Sequence, residues 1–226
     1  MGKLIGIYGS DEKFEVNNIF CVGKNYLAHI KELGQAEAPK EPLIFFKPNN
    51  SIVCDGENIE IPVVNGNKIS ANVHYETEMV IAIGKDGSNL SEKEVEEYIF
   101  GYAIGLDLTL RDKQNEAKKS GFPWATSKGF RNSAPIGKII PKSEIKDPMN
   151  CEIELKINNN RKQFSKTDLM ILNIYKLISY ISTIFGISRG DLIYTGTPEG
   201  VGQLNPGDKL KAIISNKYEL NVRFDG

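Results

Sequence analysis

The chain reads as a mixed α/β fold in which strands dominate, and three observations carry that reading. Short runs rich in β-branched and aromatic residues recur along it, bounded by Gly, Pro and Asn. Helical periodicity is confined to four segments. The two kinds of segment do not alternate regularly, as a doubly wound parallel sheet would demand, so a mostly antiparallel architecture with peripheral helices is expected, as one domain over residues 1–226.

The elements follow in order. Ile19 to Val22 is an unbroken apolar run ended by Gly23, which suits a buried strand. Tyr26 to Leu33 carries Tyr26, Ile30 and Leu33 at helical spacing. The polar, punctuated run Gly34 to Pro42 completes a mobile lid over about 26–42. Strands are expected at Leu43 to Phe46, Asn58 to Ile61, Glu76 to Ile83 and Tyr102 to Asp107, with a short helix at Glu92 to Glu97 between the last two. Thr109-Leu-Arg-Asp112 has the form of a capping box, which opens a helix over Leu110 to Lys119, and Gly121 stops it. Glu152 to Ile157 pairs with Arg161-Lys-Gln through a turn at Asn158 to Asn160. In Leu169 to Phe185, Ile174, Leu177, Ile178, Ile181 and Phe185 recur at helical spacing, while Asn173 and Lys176 interrupt the apolar run; this predicts a buried helix ended by Gly186 and not a membrane span. Strands at Leu192 to Thr195, Leu210 to Ile214 and Leu220 to Phe224 close the chain, the last two preceded by the turn Pro206-Gly-Asp208.

Composition narrows the partners. Net charge is −1 from 28 basic and 29 acidic residues, interspersed without single-sign blocks, so no footprint for nucleic acid or an anionic membrane is visible and a small molecule is the expected ligand. The three cysteines, Cys21, Cys54 and Cys151, are far apart and never C-x-x-C, which argues against a disulfide framework or a zinc cage and for a reducing, cytoplasmic setting. The first residues are too short in apolar run for a signal peptide. The glycine-rich run Thr195 to Gly202 lacks the Gly-Lys-Ser/Thr of a P-loop, yet it can offer backbone N–H groups and the Thr197 hydroxyl to a carboxylate.

Chemistry concentrates at His74-Tyr-Glu-Thr-Glu78. Two residues apart on a strand, Glu76 and Glu78 share one face at roughly 6.6 Å. Val80 and Ala82 continue that face as apolar residues, so the acids head a buried surface and need a partner. Asp107 comes from the next strand, on the side of Ala103 and Gly105. Three carboxylates without cysteine suit Mg²⁺ or Mn²⁺. Read alone, an E-x-E pair is more often a solvated strand face. The only other histidine, His29, lies three residues before Glu32 on a helix, so the carboxylate can hold one ring nitrogen and leave the other to take a proton from water. His74 shares the face of the acids and can orient a carboxylate or a water. Arg111 sits in the first turn of a helix, where a cation opposes the macrodipole, and Gln114 shares its face. Lys47 and Lys128 follow apolar or aromatic residues and can stabilise anionic oxygen.

Together these motifs resemble the fumarylacetoacetate hydrolase family, in the small branch of acylpyruvate hydrolases and oxaloacetate decarboxylases. The resemblance rests on Gly23-Lys-Asn-Tyr-x-x-His29-x-x-Glu32, Lys47-Pro48, His74-x-Glu76-x-Glu78, Gly101-Tyr-x-x-x-x-Asp107-x-Thr-x-Arg111-Asp-x-Gln114, Gly121-x-Pro-Trp-x-x-x-Lys128 and Gly190-Asp-x-Ile-x-Thr-Gly-Thr197-Pro-x-Gly-Val. It covers about Ile19 to Val222, and Arg131 stands where many relatives have aspartate. It implies a β-roll of mixed sheets, a homodimer, a Mg²⁺ or Mn²⁺ ion on Glu76, Glu78 and Asp107, and His29 with Glu32 as the water-activating pair on the lid. Lys128 then acts in catalysis, and Lys24, Arg111, Gln114 and Thr197 hold the oxygens of a 2-oxo acid. The reaction implied is hydrolysis of a C–C bond in a 2,4-dioxo acid, an acylpyruvate or fumarylpyruvate, through a metal-held pyruvate enolate. Oxaloacetate decarboxylation or keto–enol tautomerisation would use the same site. A metal-dependent phosphohydrolase or nuclease is the alternative from another class.

Overall fold

The computed structural model describes residues 2–34, 37 and 39–226, so the expected lid over 26–42 lies partly outside the described residues. The elements that build the site are β1 (Ile19–Gly23), α1 (Leu27–Glu32), β2 (Leu43–Lys47), β3 (Ile52–Cys54), β4 (Val73–Tyr75), β5 (Thr77–Ile83), β6 (Ile99–Leu106), β7 (Thr109–Leu110), α2 (Arg111–Ser120), α3 (Ala125–Lys128), β8 (Ala134–Ile136), β9 (Glu152–Ile157), β10 (Asn160–Lys166), α4 (Ile174–Ile184), β11 (Leu192–Tyr194), β12 (Gly202–Gln203), β13 (Lys209–Ile214) and β14 (Tyr218–Phe224).

The largest sheet runs β2-β1-β11-β5-β6-β8-β3, and a second runs β10-β9-β13-β14 with Asn58–Ile59 at its edge. A small third sheet pairs β7, β4 and β12. Pairing is parallel between β1 and β11, between β3 and β8 and between β14 and Asn58–Ile59, and antiparallel elsewhere in these three sheets. The expected β-rich, mostly antiparallel mixed fold is what forms.

The alternation of β5 and β6 explains the layering. Met79, Ile81 and Ile83 with Tyr102, Ile104 and Leu106 face one way, into a core shared with Ile153, Leu155 and Leu220 of the second sheet. Val80, Ala82 and Ala103 face the other way, into a core completed by Ile5, Ile7 and Phe14 from the amino-terminal segment. Each fully buried Ile, Leu, Val or Met among them contributes about 1.5–3 kcal/mol. On that second face Gly105 is held small, because a Cβ there would lie 2.7 Å from the Tyr194 ring and 2.8 Å from Val80 Cγ2.

Three expected elements come out differently. Leu169 to Phe185 divides into a 3₁₀ turn over Thr167–Leu169 and α4, because Asn173 accepts from the Lys176 N–H and caps the helix at a position that reads in sequence as an interior interruption. The Glu92 to Glu97 segment forms only a 3₁₀ turn over Val95–Tyr98. The capping box does not form: Thr109 is extended and paired with His74, Leu110 takes the cap position, and Asp112 accepts from the Ser70 hydroxyl at 2.6 Å. Gly121 and Gly186 end their helices in the left-handed conformation, as the sequence predicts. No helix among the described residues is long and apolar enough to cross a membrane.

Candidate metal centre and active site

Glu76 ends the break between β4 and β5, Glu78 lies on β5, and Asp107 follows β6. Pairing of Glu78 with Gly105, and donation from the Asp107 N–H to the Glu76 carbonyl at 2.8 Å, bring the three acids to one end of the strand pair. They are 5 %, 2 % and 1 % exposed, and one oxygen from each lies within 4.8 Å of the others. Glu76 sits just outside the strand assigned to it from sequence, with the adjacent Thr77 N–H donating to Gln163 Oε1.

Cations answer this buried negative charge unevenly. Lys128 Nζ donates to Glu76 Oε2 at 2.8 Å and to Asp107 Oδ2 at 2.6 Å, and Arg111 Nη2 donates to Glu76 Oε1 at 2.5 Å. Lys47 Nζ lies 2.8 Å from Asp107 Oδ1, but its hydrogen bonds go to Ser133 Oγ and to the Leu108 and Lys128 carbonyls, and Oδ1 itself has no hydrogen bond of good geometry. Among the described residues Glu78 has no cation of its own, and it accepts from the Gly196 N–H at 2.7 Å. Burial pushes the Glu76 carboxyl upward, but Lys128, Arg111 and His29 together hold it well below the usual carboxylate range. Burial, then Asp107 and Glu76, push the Glu78 carboxyl up. The Lys128 ammonium is penalised by burial yet held above its ordinary value by Asp107 and Glu76.

A divalent cation fits this set. All three donors are hard oxygens, and among the described residues Asp107 Oδ1 lacks a hydrogen bond and Glu78, crowded by the other two acids, has no cation in ion-pair contact. Neither histidine nor cysteine joins the cluster, which disfavours softer metals.

Over the same cavity stands α1. His29 is 4 % exposed, and its Nδ1 lies 3.2 Å from Glu32 Oε2, whose other oxygen accepts from the Gly200 N–H at 3.0 Å. The approach of α1 is fixed by Asn25, whose amide donates to the Leu172 and Thr195 carbonyls and whose Oδ1 accepts from the Leu172 N–H. Lys24 precedes it in the left-handed conformation, φ 63°, a strain that local anchoring has to hold. Lys24, Arg111, Gln114 and Thr197, the residues expected to bind substrate, line this cavity with His29, Lys128 and the three acids. Its volume is about 30 Å³, room for a water or two.

The family model described as fumarylacetoacetate (FAA) hydrolase C-terminal matches residues 18–224, nearly the whole chain. The chain belongs to the fumarylacetoacetate hydrolase family. Among curated relatives, "Oxaloacetate tautomerase FAHD1, mitochondrial" of Arabidopsis thaliana is 44 % identical over 207 residues, covering 92 % of this chain and 89 % of the relative. "Oxaloacetate decarboxylase, mitochondrial" of Dictyostelium discoideum is 42 % identical over 208 residues, covering 92 % of each. Among solved structures, the fumarylpyruvate hydrolase from Pseudomonas aeruginosa in complex with Mn²⁺ and pyruvate superposes with a TM-score of 0.91 at 38 % identity, over 99 % of this chain and 95 % of that one.

Within this family member, some groups at the site escape sequence reasoning. Gln163 on β10 donates to Thr197 Oγ1 at 2.9 Å and to the Pro198 carbonyl, fixing the glycine-rich loop from a strand in another sheet; nothing in the local sequence signals it. Phe45 and Trp124 carry Lys128 and Lys118 over their rings, at 5.1 Å and 5.2 Å to the centroids. The backbone of His74, expected to orient a carboxylate or water, pairs with Thr109 and Gln203 across the third sheet, and among the described residues its buried Nδ1 has no hydrogen-bond partner.

Proposed function

We propose that the chain is a divalent-cation-dependent enzyme that uses water to cleave the C3–C4 bond of a 2,4-dioxo acid of the acylpyruvate or fumarylpyruvate type. The observation that carries this reading is His29, backed by Glu32 at 3.2 Å, lining the same small cavity as the three buried carboxylates. Glu32 accepts a hydrogen bond from Nδ1–H, which keeps that proton on Nδ1 and leaves Nε2 as the basic nitrogen. That nitrogen takes a proton from water as the oxygen attacks the C4 carbonyl. The C3–C4 bond then breaks, its electron pair leaves with the three-carbon fragment as the enolate of pyruvate, and the acyl group departs as a carboxylic acid. Lys128 and Gln114 face the developing oxyanions, an effect of about 3 kcal/mol per donor. Lys24, Arg111 and Thr197 orient the acid's own oxygens. Glu76, Glu78 and Asp107 would hold a Mg²⁺ or Mn²⁺ ion, which would supply Lewis acidity for the 2-oxo acid end when bound. The cavity is smaller than any such substrate, so α1 moves to admit it.

The names of the Arabidopsis and Dictyostelium relatives favour a second reading, tautomerisation or decarboxylation of oxaloacetate on the same site. Decarboxylation expels carbon dioxide without water attack, so the dyad separates the two chemistries. Acetylpyruvate, fumarylpyruvate and oxaloacetate are each assayed with Mg²⁺ and Mn²⁺, for the wild type and for His29→Ala. Loss of hydrolysis with retained decarboxylation supports the dyad's role, whereas undiminished turnover after chelation of the metal would sink the proposal. The proposal places the enzyme in a reducing compartment such as the cytoplasm, as a homodimer that sedimentation equilibrium would reveal.

A further inference from the structure

The cations around the cavity are not all committed. Lys24, Arg111, Lys118 and Lys128 line it against the three carboxylates Glu76, Glu78 and Asp107. Arg111 and Lys128 are spent on those acids, at 2.5 Å to 2.8 Å. Lys118 lies on the same helix as Arg111, two turns further along and on the same face. Its stem is exposed at the rim, and its ammonium stands over the Trp124 ring at 5.2 Å to the centroid. Its one polar partner among the described residues is Gln114 Oε1 at 3.4 Å, an oxygen already taken by Arg111 Nη1 at 2.6 Å. Among the described residues no carboxylate lies within ion-pair distance of it. Partial burial and the neighbouring Arg111, Lys24 and Lys128 charges push its ammonium down from its ordinary value. Cations thus converge where a bound divalent ion would add two more positive charges, and only an anion relieves that field.

We infer that Lys118 is a specificity-determining residue, reading the carboxylate at the far end of a dicarboxylic 2-oxo acid while the 2-oxo acid end lies over the three carboxylates. This inference rests on the 2-oxo acid reading above and narrows it to dianionic substrates over uncharged acyl groups. The spacing agrees: two helical turns advance about 10 Å along the axis, so Lys118 projects from the rim while Arg111 reaches the floor. Arriving at Lys118, a carboxylate replaces a long contact to a shared amide oxygen with a charge-assisted hydrogen bond of its own. Trp124 beneath keeps the ammonium from swinging into water.

The test separates this claim from the reading it stands on. Mn²⁺-loaded wild type, Lys118→Met and Lys118→Arg are titrated calorimetrically with 2-oxoglutarate and with 2-oxopentanoate, acids of equal chain length that differ in the distal carboxylate. The wild type and Lys118→Arg are expected to bind 2-oxoglutarate at least tenfold more tightly, and Lys118→Met to lose that preference through weaker 2-oxoglutarate binding alone. Turnover is read beside it: kcat/KM of Lys118→Met falls at least tenfold more for fumarylpyruvate and oxaloacetate than for acetylpyruvate, through KM. Equal binding of both acids by the wild type, or parallel losses on both in Lys118→Met, would overturn the assignment and leave Lys118 a surface lysine. Absence of turnover on every 2-oxo acid with the binding preference intact would overturn the functional reading instead.

Discussion

Replacing Lys128 by methionine removes a cation that bridges two of the three buried acids while keeping a side chain of similar length. Its Nζ makes contacts of 2.8 Å to Glu76 and 2.6 Å to Asp107, and the side chain is 4 % exposed, so solvent cannot take its place. Breaking one partner out of a buried ionic cluster costs roughly 3–5 kcal/mol, because the charges left behind stay desolvated. Glu76 keeps Arg111 and Asp107 keeps Lys47 close by, which places the loss near the lower end, about 3 kcal/mol. For a chain of this size each kcal/mol shifts the melting temperature by about 2–4 °C, so Lys128→Met is expected to melt about 10 °C below wild type in EDTA. A divalent ion at a hundred times its Kd adds about 2.7 kcal/mol to the wild type. It adds more to the variant, whose carboxylates then lack their bridging ammonium. Circular dichroism melts with EDTA and with Mn²⁺ measure both quantities. A metal-free variant that melts within about 2 °C of wild type, or gains no more from Mn²⁺ than wild type does, refutes the reasoning.

Other predictions test separate parts of the argument. Glu78→Gln removes the acid that has no cation of its own and is expected to raise stability slightly without metal while abolishing most of the Mn²⁺-induced shift, read in the same melts; a full shift in the variant would exclude Glu78 as a ligand. Gly105→Ala puts a methyl group 2.7 Å from the Tyr194 ring and is expected to cost about 1–3 kcal/mol in urea unfolding, an argument that fails if its midpoint matches wild type. Glu154 is pushed up by burial but held below its ordinary value of 4.5 by Arg161 at 2.5 Å and Lys156 at 3.3 Å. A depressed carboxyl stabilises above that ordinary value and loses its contribution as pH falls through the lower folded one. Glu154→Gln should therefore be less stable at pH 7 by about 1 kcal/mol, given its exposed partners, and the gap should close as pH falls below the ordinary carboxyl value and through the depressed one; a gap independent of pH would show that packing and not charge is at work.

How much was legible in the chain differs between fold and site. The central strand pair was readable because its alternation is clean: Met79, Ile81 and Ile83 against Val80 and Ala82 determine two buried faces, and the acids heading one face point to a shared cation. Period-2 patterning is local, so it survives in one dimension. The three-residue spacing of His29 and Glu32 was readable for the same reason, since a helix alone brings them together. Edge and bridging strands such as β3, β4, β7, β8 and β12 were not readable, being two or three residues long and held by neighbours and not by propensity. The apparent capping box failed because Thr109 has a strand partner in His74, a tertiary pairing that outweighs a local cap.

By itself, then, the sequence determined the residue types, the strand-rich class, the carboxylate triad and the likeness to the fumarylacetoacetate hydrolase family. Only the tertiary structure decided which cation answers which acid. Lys47, Arg111 and Lys128 come from β2, α2 and α3, and their reach to Asp107 and Glu76 depends on how those elements pack. Among the described residues, the same packing leaves Glu78 without a paired cation and Lys118 without a paired anion. The reason is physical: Coulomb energies are set by distance and burial in three dimensions, and neither is encoded in the spacing of charges along the chain.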